Sequence, residues 1–415
     1  MSAAWWAYRF AAPLLGSLAP AAAVFTSPRD RPLWRERLGE TDLPGGCHAW
    51  VHAASLGEAG GVPPLLRELR RAAPGARFWL TATSHAGRRR LLGLEPHASL
   101  APIDSPQAVR RFLAGVRPQR LFLIETELWP HWLLRAGAEQ VPVAVVSARM
   151  SDRSVRRYRG LGGGLRRLVG GLAAVLCQSD EDVARWLEIG APRERTLAVG
   201  NLKSDGLPTP APDRAAERAA LGLDPGRPLL VLGSLRPGEA RALAKAWVSL
   251  APATRGRWQV VAVPRHPRAS EELRAEAIAG GAPVAGAAAE PGAWRWDDRM
   301  GVLAGWYRAA DAAFVGGSLA PFGGHNPLEP AACGAAVLTG PYHASQASYV
   351  RALRAAGAIV VAAPGEPLVA ALRELLEDDA ARAARGVAGI VVAEAQRGAA
   401  ATSVARLVEW GLWPA

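Results

Sequence analysis

The chain has 415 residues, 50% hydrophobic and 21% charged, which suits two globular domains each with its own core and excludes a low-complexity or coiled-coil protein. The formal net charge of +12 is almost all arginine, since Lys203 and Lys245 are the only lysines, and it suits an anionic partner: nucleotide, phospholipid headgroup, phosphorylated glycolipid or nucleic acid. Cys47, Cys177 and Cys333 are too widely spaced for a metal motif or a disulfide framework, which points to a reducing compartment. No zinc-finger or RNA-recognition signature is present, so nucleic acid is a minor reading.

Residues 1–25 are nearly all apolar, with Arg9 the only charge and Trp5, Trp6, Tyr8 and Phe10 clustered at one end. Arg29, Arg31, Arg35 and Arg37 follow at once. Apolar length, interfacial aromatics and flanking arginines predict a membrane anchor whose C-terminal side is cytoplasmic. Pro13 and Pro20 make an interfacial segment an equal alternative to a straight span. A signal peptide is a further alternative, although a basic start is missing.

Beyond the anchor, HAWVHAA (His48 to Ala54), ARFWLTA (Ala76 to Ala82), QRLFLIE (Gln119 to Glu125), VPVAVVS (Val141 to Ser147) and LAAVLCQ (Leu172 to Gln178) read as strands, with helical spacing between them. This alternation predicts an α/β domain with a doubly wound parallel sheet. KSDGLPTPAPDR (Lys203 to Arg214) reads as an interdomain linker. The rhythm restarts with RPLLVLG, WQVVAVP, DAAFVGG, AAVLTG and AIVVAAP, a second Rossmann-like domain, with a ligand cleft expected beyond the strand ends. A last helix from about Ala401 to Trp410 is expected to pack back on the first domain. The chain thus divides into 1–25, 26–205, 206–400 and 401–415.

Candidate chemistry falls just after these strands. In GGSLAPFGGHNPLEPAACG the glycines let backbone N–H groups approach a ligand, and Asn326 and Pro327 read as the start of a short helix with Glu329 in its first turn. The pattern, beside Arg265, suits a nucleotide, with phosphate on the amides or on arginine and ribose on the carboxylate; a plain tight strand-to-helix connection is the alternative. In HAASLGE, Glu58 is placed either to support a helix dipole or to act as a general base. ETELWP carries Glu125 and Glu127, SARMSDRSVRR carries Arg149, Arg153, Arg156 and Arg157, GNLKSD carries Lys203 and Asp205, and VPRHP carries Arg265 and His266.

In their order, HAASLGE, ETELWP, SARMSDRS, GNLKSD, VPRHP, DRMG and GGHNPLE resemble the Kdo (3-deoxy-D-manno-octulosonic acid) transferases, from the apolar N-terminus to about Pro341. The resemblance implies the GT-B fold, with an acceptor-binding first domain and a CMP-sugar-binding second one. It implies transfer of Kdo from CMP-Kdo to a lipid A precursor at the cytoplasmic face of the inner membrane, with inversion and with neither metal nor cofactor. By position it implies Glu58 as general base, Glu127 as a second acidic group, and Lys203 as the group steadying transition-state charge. Pro264, Arg265, Met300, Gly301, Val302, Asn326, Pro327, Leu328 and Glu329 fall on the CMP-binding segments. The chain departs from the family pattern at Val302, where Glu is usual, at Leu235 and Arg236 for Thr-His, at His131 for Asn, and at Ser345 and Gln346 for Asn-Phe. The departures bear on nucleotide contacts and on the number of Kdo units added. The alternatives are a GT-B enzyme using another nucleotide sugar, and a non-catalytic membrane-bound nucleotide binder.

Overall fold

The computed structural model describes Tyr8 and residues 31–41, 43, 45–285 and 292–414. The expected anchor, 1–25, lies outside the described residues apart from Tyr8. Among the described residues no helix is long and apolar enough to cross a membrane. The chain forms two compact units, Met1–Gly206 with Gln396–Ala415, and Leu207–Ala395.

The first unit is built on a seven-stranded sheet of β1 (Ala49–His52), β2 (Phe78–Ala82), β3 (Ala98–Leu100), β4 (Leu121–Ile124), β5 (Val143–Ala148), β6 (Ala174–Cys177) and β7 (Thr196–Ala198). Every pairing is parallel, in the order β3-β2-β1-β4-β5-β6-β7. Strand side chains alternate between faces, and the two faces carry separate cores. Trp50, Leu121 and Val145 join Trp132 and Trp186 on one side, while Val51, Phe122 and Val146 join Leu65, Leu69 and Leu407 on the other. Burial on both faces explains why these strands read as continuous apolar runs rather than alternating ones. The C-terminal helix Ala399–Glu409 packs on the helix Val62–Ala72, and Trp413 Nε1 donates to Leu69 O at 3.0 Å.

Among the described residues the second unit has six parallel strands: β8 (Leu229–Leu235), β9 (Gln259–Pro264), β10 (Trp294–Trp296), β11 (Ala312–Val315), β12 (Ala336–Thr339) and β13 (Ile359–Val361). Their order is β10-β9-β8-β11-β12-β13. In each sheet the strand order therefore reverses once, between β1 and β4 and between β8 and β11, while the strands stay parallel. In a doubly wound sheet, such a switch point leaves a crevice beyond the strand C-termini.

Candidate active site

In the first unit, the segments leaving β1 and β4 bring three carboxylates together. After β1 the chain turns, and Glu58 opens a single 3-10 turn, Glu58–Gly61, ahead of the helix Val62–Ala72. Its carboxylate folds back, Oε2 accepting from Ala54 N at 2.7 Å and Oε1 from Ser55 Oγ at 3.0 Å. Burial, then the charges of Glu125 and Glu127, raise its pKa above the usual glutamate range, against those two hydrogen bonds. After β4, Glu125 adopts φ 64°, the left-handed region that a non-glycine residue occupies at a cost of about 1–3 kcal/mol. It accepts from Lys203 Nζ at 2.5 Å. Glu127 accepts from Trp129 Nε1 at 2.7 Å, and Trp129 precedes the helix Pro130–Ala138.

Beneath Glu127 lies a histidine that sequence reading did not single out. His52, the last residue of β1, is fully buried, and burial lowers its pKa, so it is neutral. Thr81 pairs with it across β1 and β2, and its Oγ1 lies 2.9 Å from His52 Nδ1 while accepting from Trp50 Nε1 at 2.7 Å. Indole N–H can only donate, which leaves the threonine proton free to point at Nδ1. The imidazole proton then sits on Nε2, 3.6 Å from Glu127 Oε2, where a bare lone pair would face a carboxylate. The signal for this pairing is the β1–β2 register, which a sequence does not state.

Lys203 is placed by its own segment. Ser147, at the end of β5, has φ 56°, and its Oγ accepts from Leu202 N at 3.2 Å. Asn201 Oδ1 accepts from Lys203 N at 3.0 Å. Asp205, two residues on, accepts from the backbone of Gly398 and Ala400. It tethers the returning C-terminal helix rather than joining the acidic cluster. Arg149, Arg153, Arg156 and Arg157 are exposed, the last three on the helix Asp152–Gly160. A cavity of about 380 Å³ opens beside Glu127, lined in part by Trp129, Arg157, Tyr158 and Leu161.

In the second unit, the loop after β11 is organised differently from expectation. Glu239, fully buried at the start of the helix Glu239–Val248, accepts from Arg236 N at 2.9 Å, Gly317 N at 2.8 Å, Ser318 N at 2.8 Å and Leu319 N at 2.9 Å. The amides of Gly317, Ser318 and Leu319 are thus spent on an internal carboxylate, so these three do not supply the phosphate contacts that the sequence offered to the loop. Glycine is required for closeness: a Cβ on Gly316 would lie 2.5 Å from Ser234 O and 2.8 Å from Glu239 Oε2. Sequence reading missed Glu239, because an acidic residue opening a helix looks the same whether buried or solvated.

The expected nucleotide-binding residues fall as follows. Pro264 is the buried last residue of β9 and Arg265 is exposed beyond it. Met300 is 61% exposed, Gly301 has φ 83°, and Val302 precedes the helix Leu303–Ala309. Asn326 Oδ1 accepts from Leu328 N at 3.0 Å, and the helix runs Leu328–Ala332, one residue later than Pro327 suggested. Pro327 and Leu328 are buried. Burial raises the Glu329 pKa, opposed by its hydrogen bond from Asn326 and by the charge of Arg265, which brings Arg265 and the Asn326–Glu329 turn into one electrostatic neighbourhood.

Residues 33–206 match the model of a family described as 3-deoxy-D-manno-octulosonic-acid transferase (kdotransferase). The chain is similar to the 3-deoxy-D-manno-octulosonic acid transferase of Bordetella pertussis, 36% identical over 375 residues and 87% of each chain. It is also similar to that of Haemophilus influenzae, 29% identical over 402 residues and 90% of each. Among solved structures, Anabaena Alr3699/HepE in complex with UDP superposes with a TM-score of 0.60 at 12% identity, over 87% of this chain and 99% of that one. UDP-GlcNAc 2-epimerase from Neisseria meningitidis gives 0.60 at 13%, over the same shares. At these identities the shared feature is the fold, the two-domain α/β GT-B architecture.

Proposed function

The chain belongs to the 3-deoxy-D-manno-octulosonic acid (Kdo) transferase family, and we propose that it moves Kdo from CMP-Kdo to a lipid A precursor in lipopolysaccharide core biosynthesis. Similarity along 87% of the chain to a Kdo transferase is the observation that carries this reading. The chemistry of the acidic cluster agrees with it. An acceptor hydroxyl needs a base, and Glu58 is a half-buried carboxylate whose pKa is raised toward the working range. Glu58 takes the hydroxyl proton, the oxygen bonds to the anomeric carbon of Kdo, and the bond from that carbon to the CMP oxygen breaks with its electron pair on the phosphate. Attack opposite the leaving group inverts the centre. Glu127, oriented by the hydrogen bond from Trp129, holds an acceptor hydroxyl beside the cavity, and Lys203 steadies negative charge as it develops. Arg265, Asn326 and Glu329, with Pro264, the Met300–Gly301–Val302 turn, Pro327 and Leu328, bind the cytidine nucleotide. CMP-Kdo is substrate, and the mechanism as proposed uses no cofactor and no metal.

Residues 1–25 hold the protein at the cytoplasmic face of the inner membrane in this reading. The apolar, aromatic-rich stretch and the arginines that follow it support that placement. The deciding experiment is mass spectrometry of a lipid A precursor after incubation with the full chain and CMP-Kdo. A mass increase of one or more Kdo units is expected; an unchanged acceptor overturns the proposal.

A further inference from the structure

Around Arg265, to which the function proposed above gives a part in nucleotide binding, stand three cationic or titratable side chains that it leaves unused: Arg236, His266 and His325. Arg236 follows β8, Arg265 and His266 follow β9, and His325 follows the glycine loop after β11. They come from different strand ends and converge at the switch point. A Cβ on Gly317 would lie 2.9 Å from His325 Cδ2, 3.0 Å from His325 Nε2 and 3.7 Å from Arg236 Cγ, so the glycine leaves room for both side chains. Arg236 Cζ sits 4.4 Å from the centre of the Phe322 ring, which holds the guanidinium in place. Two buried polar atoms here lack a hydrogen-bond partner: Arg236 Nε and His325 Nε2. Buried polar atoms are normally satisfied, and two unpartnered ones beside a second guanidinium are an incomplete site.

The charge balance agrees. The carboxylate nearest the loop, Glu239, is occupied by four backbone N–H groups. The charges of Arg265, Arg236 and His266 act on His325, which burial first, and then those charges, hold down at about 4. The same guanidiniums hold His266 below its ordinary range after a burial effect. A neutral histidine between two arginines is a setting that an anion relieves.

We propose that Arg236, with His325 and Arg265, forms the seat for the phosphate of the bound nucleotide, in place of the loop amides that Glu239 consumes. The identity of that phosphate as the one in CMP-Kdo rests on the function proposed above. On transfer, the phosphodiester monoanion becomes the more highly charged phosphomonoester of CMP. A seat of two guanidiniums therefore binds the departing group more tightly than the intact donor, and Arg236 affects turnover as well as donor binding.

The test uses the full chain, with CMP, cytidine and inorganic phosphate as calorimetric probes, and the Arg236→Gln and Arg236→Lys variants. Arg236→Gln is expected to weaken CMP and phosphate by about tenfold or more and to leave cytidine unchanged, since a hydrogen bond to a charged group is what is lost. Arg236→Lys, which keeps the charge but not the fork, is expected to recover part of that loss. The His325 ring resonances in each variant give a second readout: CMP binding is expected to raise the pH at which His325 titrates in the wild type and to raise it less in Arg236→Gln. Equal CMP and phosphate affinities in the wild type and Arg236→Gln, with His325 titrating alike in the presence of CMP, overturn the seat. Arg236-dependent binding of phosphate with no added affinity for CMP keeps the seat and instead overturns the assignment of its ligand as a cytidine donor.

Discussion

At the scale of single residues, the acidic cluster is a problem in proton affinity. Glu58 works as a base only when ionised, and its pKa is raised by burial and by Glu125 and Glu127. Transfer should therefore climb with pH up to a point above the ordinary carboxylate range. Glu58→Gln is expected to bind CMP normally and to lose about 10²–10⁴-fold in rate, measured by initial velocities. A purely helix-supporting role would leave the rate nearly intact and cost a little stability. The linkage has a definite sign. The native state keeps the Glu58 proton over a pH window where the unfolded chain has lost it, so stability declines as pH rises through that window. Melting curves of Glu58→Gln should show a flatter pH dependence there.

Glu125 provides a second prediction at this scale. Its left-handed backbone and its ion pair with Lys203 sit at the end of β4, a strained arrangement of the kind that a site retains for a purpose. Because Lys203 and Lys245 are the only two lysines, acylation followed by mass spectrometry reads each without ambiguity. Glu125→Gln is expected to increase labelling of Lys203 several-fold at fixed pH while Lys245 stays constant. Unchanged Lys203 reactivity would remove Glu125 from any role in holding that ammonium. The same variant removes the stronger of the two neighbouring negative charges acting on Glu58, so the rise of transfer rate with pH should move to lower pH.

At the scale of elements, each strand read from an apolar run is present, from β1, β2, β4, β5 and β6 to β8, β9, β11, β12 and β13. The strands not anticipated, β3, β7 and β10, have three residues each and lie at sheet edges. An edge strand is paired on one side only and needs no long apolar run, so its signal is weak. The candidate site could be proposed from residue type at Glu58, Lys203 and Arg265. It was hidden where it depends on register or depth, as in the His52–Thr81 pairing and the buried Glu239. That carboxylate gathers the start of the helix Glu239–Val248 and the loop after β11 into one piece. Glu239→Gln turns an acceptor into a donor facing backbone N–H groups. It should lower unfolding free energy by about 3 kcal/mol or more, read from denaturant midpoints, and weaken CMP in parallel. A neutral effect would mean that the loop holds its shape without the carboxylate.

At the scale of the whole molecule, the proposed attachment to the membrane and the closing helix each predict a deletion phenotype. Removing residues 1–25 should shift much of the protein from the membrane fraction to the soluble one, because apolar burial contributes about 25 cal/mol per Å² and each nearby arginine about 1 kcal/mol. If these residues are instead a cleaved signal, protein from cells will begin downstream of Ala23. Removing 396–415 strips Leu407 and Trp413 from the first unit, where Trp413 stacks on Phe78 at 5.8 Å. Each such side chain is worth about 1.5–3 kcal/mol, so the helix Val62–Ala72 should lose hydrogen-exchange protection. Retained protection would show that the first unit closes without its C-terminal piece.

The first unit is thus finished by the last residues of the chain, with Leu207–Ala395 spelled out in between. During synthesis the ribosome completes the whole second unit before it releases the helix that covers Leu65 and Leu69, so the nascent first unit waits with an apolar face open while its neighbour is already able to fold. A stop codon just before Gln396 would consequently spare the unit carrying Arg236 and Arg265, and would harm the unit carrying Glu58, the one translated first.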